Sequence, residues 1–433
     1  MKVETEVISR DMVMPSSPTP DHRRKYQLSC LDQISRADYM PWVLLYPKTS
    51  DFSNLERCNL VKKSLSEALT MFYPLAGRVV ENTYVDCNDE GVLFVEVQAK
   101  CTLSDILRKP DPHDFNKFLP VELDDVQNLA VFQVTCFECG GLAISFCLSH
   151  KVGDALSFFM FLNSWAKITR GDDKVPVPRF DSAEILPPTE LPIPRNENDT
   201  EKLVTRRFVF DSSTITALKE RFADNRNVDN PIRPTRVEAL SAFVWSRFMA
   251  VMQVNASPGK FYIVPVIHLV NLRSRADPRI SEQCFGNFGG CAVAIPNFQA
   301  EDGNFGILTQ IRESVKNVDS EYVKKLQQRD VPFAFLQEKA KEMPSNVESI
   351  TFIMSSLCRF PINEADFGWG RPVWSGSART TTKNTVTFID AKDGGGVEAW
   401  ITMAEEDMAA LEMDRELLAL ATPNPECEAI STL

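Results

Sequence analysis

Runs of β-branched and apolar residues bounded by turn formers predict strands at Trp42–Leu45, Val131–Cys136 and Leu142–Ser149. The second half repeats the pattern at Leu203–Phe210, Phe261–Val270, Ser349–Ser355, Thr385–Ile389 and Val397–Met403. Apolar residues at helical spacing predict helices at Leu60–Thr70, where Leu65 and Leu69 lie four apart, and at Ala155–Ile168, with Phe158, Phe161, Leu162, Trp165 and Ile168 on one side. Val237–Phe248, Ile307–Val318 and Met408–Leu420 are amphipathic in the same way. Strands and helices alternate throughout, so the class is α/β or α+β. The hairpin over 131–149, turning at Cys139-Gly140-Gly141, argues against a purely parallel sheet.

With 433 residues the chain is too long for one ordinary core. The stretch Gly171–Lys202 carries Pro176, Pro178, Pro187, Pro188, Pro192 and Pro194 and then a polar run, which makes it a candidate surface linker. It divides the chain into 1–171, a crossover over 172–202, and 203–433. No short tandem repeat is present.

The chain is 44% hydrophobic and 24% charged, with a net charge of −12, which describes a soluble protein without a phosphate-backbone footprint for nucleic acid. An acidic surface disfavours anionic lipid, and no apolar run reaches membrane-spanning length, so no membrane partner is expected. Met1–Val13 alternates charged and apolar residues and lacks the apolar centre of a secretory signal; Ser431-Thr432-Leu433 lacks the basic middle residue of a peroxisomal tripeptide. Eleven scattered cysteines fit reduced thiols and a cytoplasmic location. Cys136 and Cys139 stand at Cys-x-x-Cys spacing, but without a second ligand pair they read as hairpin residues, and no metal is expected. An acidic chain with no exposed apolar stripe is expected to be a monomer.

Phosphate loops, dinucleotide fingerprints, Gly-x-Ser-x-Gly elbows and His-Glu-x-x-His are absent. Of four histidines, His22 lies in a polar stretch, His113 in the loop Pro110–Asp114, and His268 inside an apolar strand as a core residue. His150 differs, because it ends the strand Leu142–Ser149 and precedes a helix in His150-Lys151-Val152-Gly153-Asp154. A rigid strand end can project a side chain into a cleft, where a neutral imidazole acts as general base toward an alcohol. Asp154 has two readings, a third group orienting the ring or the helix N-cap.

A second motif, Asp366-Phe367-Gly368-Trp369-Gly370, stands near the C-terminus. His-x-x-x-Asp paired with Asp-Phe-Gly-Trp-Gly resembles the signature of the plant BAHD acyltransferases. Further similar segments, in family order, are Pro15-Ser-Ser-Pro-Thr-Pro20, Leu31-Asp-Gln33, Phe72-Tyr-Pro-Leu-Ala-Gly-Arg78, Phe137-Glu-Cys-Gly-Gly141, Thr235-Arg-Val-Glu238, Asn271-Leu-Arg-Ser-Arg275 and Gly286-Asn287. They cover essentially the whole chain and look most like the branch that acetylates alkaloid and terpenoid alcohols.

The resemblance implies two similar α/β domains of the chloramphenicol acetyltransferase type, each a mixed sheet with flanking helices, joined by a long crossover and sharing a solvent channel. It implies acyl-CoA, acetyl-CoA by branch, as co-substrate with no permanently bound cofactor. His150 matches the base that deprotonates the acceptor hydroxyl in a ternary complex. Asp154 matches a residue paired with an arginine, here Arg273, as structural support. Asp366 matches a residue essential for the shape of the CoA side. Trp369 is either an indole donor to the oxyanion or a packing residue. Thr235 and Arg236 match a CoA-phosphate segment at a helix start, and Asn287 a segment near the pantetheine arm. Two departures bear on the acceptor: Leu357 stands where that branch has tryptophan, and Trp374–Lys383 is unusually rich in Ser, Thr and Gly. N-acylation of an amine and a catalytically silent metabolite-binding paralogue are the alternative functions.

Overall fold

The computed structural model describes residues 3–120, 128–189, 201–223, 233–254, 261–296, 303–328, 347–378, 380–392 and 394–427. Two mixed sheets organise them. The first has the order Thr5–Val13, Val92–Ala99, Ala130–Cys136, Leu142–Ser149, Tyr39–Tyr46, Trp374–Gly376. Only the Val92–Ala99 and Ala130–Cys136 pair in it is parallel. The second has the order Gly289–Ala294, Val266–Asn271, Phe352–Ser356, Thr385–Asp390, Val397–Ala404, Leu203–Phe210, Thr422–Pro423.

Helices cover these sheets for reasons visible in their sequences. Asn54–Met71 starts at a capping box in which the Ser53 hydroxyl and the Glu56 carboxylate satisfy each other's backbone N–H. Ala155–Arg170 is capped by Asp154 and stopped by Gly171, whose φ of +80° suits glycine. Phe158, Phe161, Leu162 and Trp165 of that helix are buried against the first sheet, each contributing about 1.5–3 kcal/mol by burial. Trp165 also donates its indole N–H to the Val61 carbonyl, tying this helix to Asn54–Met71. The second core gathers Trp245 and Phe248 with Phe352, Phe388 and Met403.

The domain boundaries expected from sequence need correction in two places. The strand Trp374–Gly376 joins the first sheet, antiparallel to Tyr39–Tyr46, and Leu357, Ile362, Ala365, Phe367 and Ala378 belong to the first core. The Asp366–Gly370 motif therefore belongs with the first sheet, although it lies in the second half of the chain. The proline-rich crossover is also not a plain exposed spacer. Ser182–Ile185 is helical, and Ser182 and Leu186 are fully buried, because Leu186 joins a third cluster with Cys30, Leu31 and Leu272. Its stretch 190–200 lies outside the described residues.

His268, expected in the core, is buried on Val266–Asn271, and its Nε2 has no hydrogen-bond partner among the described residues. Burial pushes its pKa down from 6.5 to about 4, against the opposing pull of Glu238. Between those values the unfolded chain binds a proton that the folded chain refuses. Stability is therefore complete above pH 6.5 and falls as pH drops toward 4, by about 3 kcal/mol in all. Urea unfolding across that range should show a shallower loss in His268→Phe than in the natural protein, and parallel curves would count against it.

Candidate active site

The strand Leu142–Ser149 carries His150 to one end of the first sheet. Its backbone N–H donates to the Asp38 carbonyl at 3.0 Å. Lys151 is buried and spans the segment beneath, donating from Nζ to the carbonyls of Gln33 (2.8 Å) and Ser35 (2.7 Å). Burial pushes its pKa down to about 8. Between the buried Ser149 and Lys151, the His150 side chain alone retains partial exposure.

Across from the ring stands Asn287, from the other half of the chain. Its amide nitrogen donates to Asp32 Oδ1 and to the His150 carbonyl, both at 2.8 Å. Its amide oxygen lies 3.1 Å from His150 Nδ1. An amide oxygen only accepts, so Nδ1 carries the ring proton and Nε2 keeps its lone pair. The sequence did not suggest this contact of Asn287. Its side chain is buried and committed to His150 and Asp32. The preceding Gly286 adopts φ of +143°, and a Cβ there would meet the Ser182 Cβ at 2.7 Å, so only glycine brings Asn287 to the ring.

Asp154 points away from the ring. It caps its helix through the Ser157 N–H at 3.0 Å and accepts from the Phe288 N–H at 3.1 Å. Arg273 holds it with Nη1 at 2.6 Å from Oδ2 and Nη2 at 3.2 Å from Oδ1. Although burial pushes the Asp154 carboxyl up, the Arg273 guanidinium outweighs it and holds the pKa below the usual value. Arg273, 1% exposed, also donates to the carbonyls of Cys284 and Gly286 and lies over the Phe288 ring at 4.4 Å. The ion pair thus fastens 284–288, and Asn287 with it, to the loop of His150.

The second motif is elsewhere. Asp366 Oδ1 accepts from the N–H groups of Gly368 (2.9 Å) and Gly370 (3.0 Å), whose φ values of +108° and +95° suit glycine. Phe367 packs edge-on against Trp165 at 5.0 Å. Trp369 lies among Phe367, Tyr46, Phe52 and the Arg57 guanidinium. Tyr46 pairs with Leu142, whereas Tyr39 pairs with Ser149, next to His150. Seven residue steps along the strand therefore separate the two ends, about 23 Å at roughly 3.3 Å per residue. Of the two readings of Trp369, these contacts are those of a packing residue, and Asp366 ties its own loop.

Thr235 and Arg236 open the helix Arg236–Val254. Glu238 engages both Thr235 groups, accepting from its backbone N–H at 2.8 Å while its own N–H donates to the hydroxyl at 3.2 Å; Arg236 pairs with Asp390 at 2.8 Å. Nothing in these contacts joins them to His150. By contrast, Trp374–Gly376 pairs with Val43–Leu45, Ser377 donates to the Pro41 carbonyl, and Thr381 and Thr382 donate to Asp38 Oδ2, beside the His150 loop. Sequence reasoning missed Asp32 and Asp38; Asp32 lies in Leu31-Asp-Gln33, noted only as a similar segment. Among the described residues no cluster of three or more metal-ligating side chains occurs, and no helix is long and apolar enough to cross a membrane.

Each half of the chain thus contributes the greater part of a mixed sheet, and His150 stands between residues of both halves. The sequence matches the Transferase family over residues 1–418. It is 36% identical to epi-neemfruitin B 7-O-acetyltransferase of Melia azedarach, over 98% of this chain and 99% of that protein. It is also 36% identical to stemmadenine O-acetyltransferase of Catharanthus roseus, over 96% and 97%. The crystal structure of vinorine synthase superposes with a TM-score of 0.85 at 30% identity, covering 98% of this chain and all of that one. The structure of F. graminearum TRI101 with coenzyme A and deoxynivalenol, 16% identical over 92% of this chain and 99% of that one, shares the fold with a TM-score of 0.71. The chain belongs to the plant BAHD acyltransferase family.

Proposed function

We propose that the protein transfers an acetyl group from acetyl-CoA to a hydroxyl of a bulky hydrophobic alkaloid or terpenoid alcohol, with His150 as general base. The observation that carries this reading is the ring itself, partly exposed and bonded through Nδ1 to Asn287, which leaves Nε2 as the basic nitrogen. In a ternary complex Nε2 takes the hydroxyl proton while the oxygen attacks the thioester carbonyl. The tetrahedral adduct collapses, the C–S bond breaks, and the imidazolium returns the proton to the leaving CoA sulfur. No acyl-enzyme is required.

The O-acetyltransferases among the relatives support oxygen as the nucleophile. Thr235 and Arg236 remain part of the proposal as contacts for CoA phosphates, through donors that Glu238 and Asp390 do not occupy. The hydroxyl residues Ser377, Thr381 and Thr382, the last two bonded to Asp38, are proposed as a wall of the acceptor side, with the smaller Leu357 reshaping the pocket. Action as a cytosolic monomer completes the reading.

The test offers acetyl-, benzoyl-, malonyl- and hydroxycinnamoyl-CoA against alkaloid and triterpenoid alcohols and follows CoA thiol. Thiol release that requires an alcohol, is fastest with acetyl-CoA and is unchanged by EDTA is expected. Tight alcohol binding without turnover by any donor would leave a silent binding protein instead.

A further inference from the structure

Asp32 is fully buried, and it sits 255 residues from Asn287 in sequence. One oxygen does an ordinary task. Oδ2 accepts from the Ser29 N–H (2.9 Å) and hydroxyl (2.7 Å), closing the capping box of the short helix Cys30–Ile34. The other oxygen has no part in that cap. Oδ1 accepts twice from Asn287, from its backbone N–H at 2.9 Å and its side-chain amide at 2.8 Å. The remaining neighbour, the Ser182 hydroxyl, also donates. Among the described residues every hydrogen-bond partner of the carboxylate is thus a donor, which the ionised form satisfies and a protonated form would not, and these bonds oppose the burial that pushes its pKa up.

The Asn287 amide is set by what faces its two ends. Its nitrogen meets two acceptors, Asp32 Oδ1 and the His150 carbonyl, so its oxygen must face His150 Nδ1. Turned over, the amide would press its oxygen against a carboxylate and a carbonyl, losing two hydrogen bonds and making two repulsive contacts. It would also offer an N–H to Nδ1, which favours the tautomer with its proton on Nε2. That tautomer has no lone pair where a base needs one.

We infer that Asp32 is a positioning residue that fixes the tautomer of His150 through the Asn287 amide. It touches no substrate; a buried carboxylate orients an amide, the amide oxygen accepts a hydrogen bond from Nδ1–H, and Nε2 keeps its lone pair. Lys151 ties the segment that follows Asp32 to the His150 loop by donating to the Gln33 and Ser35 carbonyls. The inference rests on the reading of His150 as the base.

The experiment records long-range ¹H–¹⁵N correlation spectra of uniformly labelled full-length protein above the titration range of histidine. The chain has four histidines, so substitution of each assigns its ring. In the natural protein His150 is expected as the Nδ1–H tautomer, and an Nε2–H ring there would overturn the inference at once. Asp32→Asn is expected to shift the ring toward Nε2–H and lower kcat about 10- to 100-fold with KM for both substrates unchanged. The exchange Asp32→Asn/Asn287→Asp restores an obligate acceptor opposite Nδ1, at the cost of the bond to the His150 carbonyl, and should recover the Nδ1–H signature with part of the kcat. It also serves if the single variant fails to fold. A folded Asp32→Asn protein with natural tautomer and kcat would reduce Asp32 to a helix cap. A shifted tautomer with unaltered kcat would instead sustain the tautomer role and remove His150 as the base.

Discussion

Replacing His150 with alanine is expected to lower acceptor-dependent release of CoA thiol about 10²–10⁴-fold, the contribution a positioned general base makes. The loss should fall on kcat, because the ring contacts a proton that moves only in the chemical step. The fold should tolerate the change. His150 is held by its backbone, through the N–H to Asp38 and the carbonyl to Asn287, and both contacts survive truncation at Cβ. Asn287 would lose the one contact to Nδ1, at a position that solvent can reach. Thermal unfolding should therefore remain close to that of the natural protein. Undiminished thiol release from a folded His150→Ala protein would remove the proposed mechanism, while a fall in stability of several kcal/mol would assign His150 to the scaffold.

Arg273→Met is expected to destabilise the protein by about 3–5 kcal/mol, the cost of leaving a buried charge without its partner. Asp154 would keep its N–H contacts from Ser157 and Phe288 but lose both guanidinium bonds. The carbonyls of Cys284 and Gly286 would lose donors at the same time. Adding Asp154→Asn removes the stranded charge while keeping a good N-cap residue, so the double variant should lose less than the sum of the singles. Urea unfolding of the four proteins measures that coupling, and strictly additive losses would mean that the ion pair carries no energy of its own. The acid limb is fixed by the same contact. Arg273 holds the Asp154 pKa below its usual value, so this contribution is complete above the usual carboxylate range and is lost as pH falls below it.

Much of the architecture was legible. Leu142–Ser149 and Leu203–Phe210 have the expected bounds, and the helix at 155 begins where expected, because apolar runs and a capping aspartate are local signals. Phe261–Val270 broke into Phe261–Ile263 and Val266–Asn271, the Val264-Pro265 step interrupting it, and Met408–Leu420 into Glu405–Leu411 and Arg415–Leu420. Thr5–Val13 and Val92–Ala99 were not read as strands. The first forms the sheet edge with most of its residues exposed, so its alternation of charged and apolar residues lacked the buried face that strand reading depends on.

The site divides along the same line. By itself the sequence determined that His150 stands at a strand end before a capped helix, that glycines and aromatics form a second motif, and which family these belong to. Those properties are carried by neighbours within a few residues or by their order along the chain. Only the tertiary structure decided which side chains meet: Arg273 with Asp154, Asn287 with His150 and Asp32, and Trp369 with Arg57 at the far end of the sheet. Periodicity records which face of an element is buried, but a buried face does not name its partner. That choice is made when two sheets pack and buried polar groups must find donors and acceptors wherever the fold brings them.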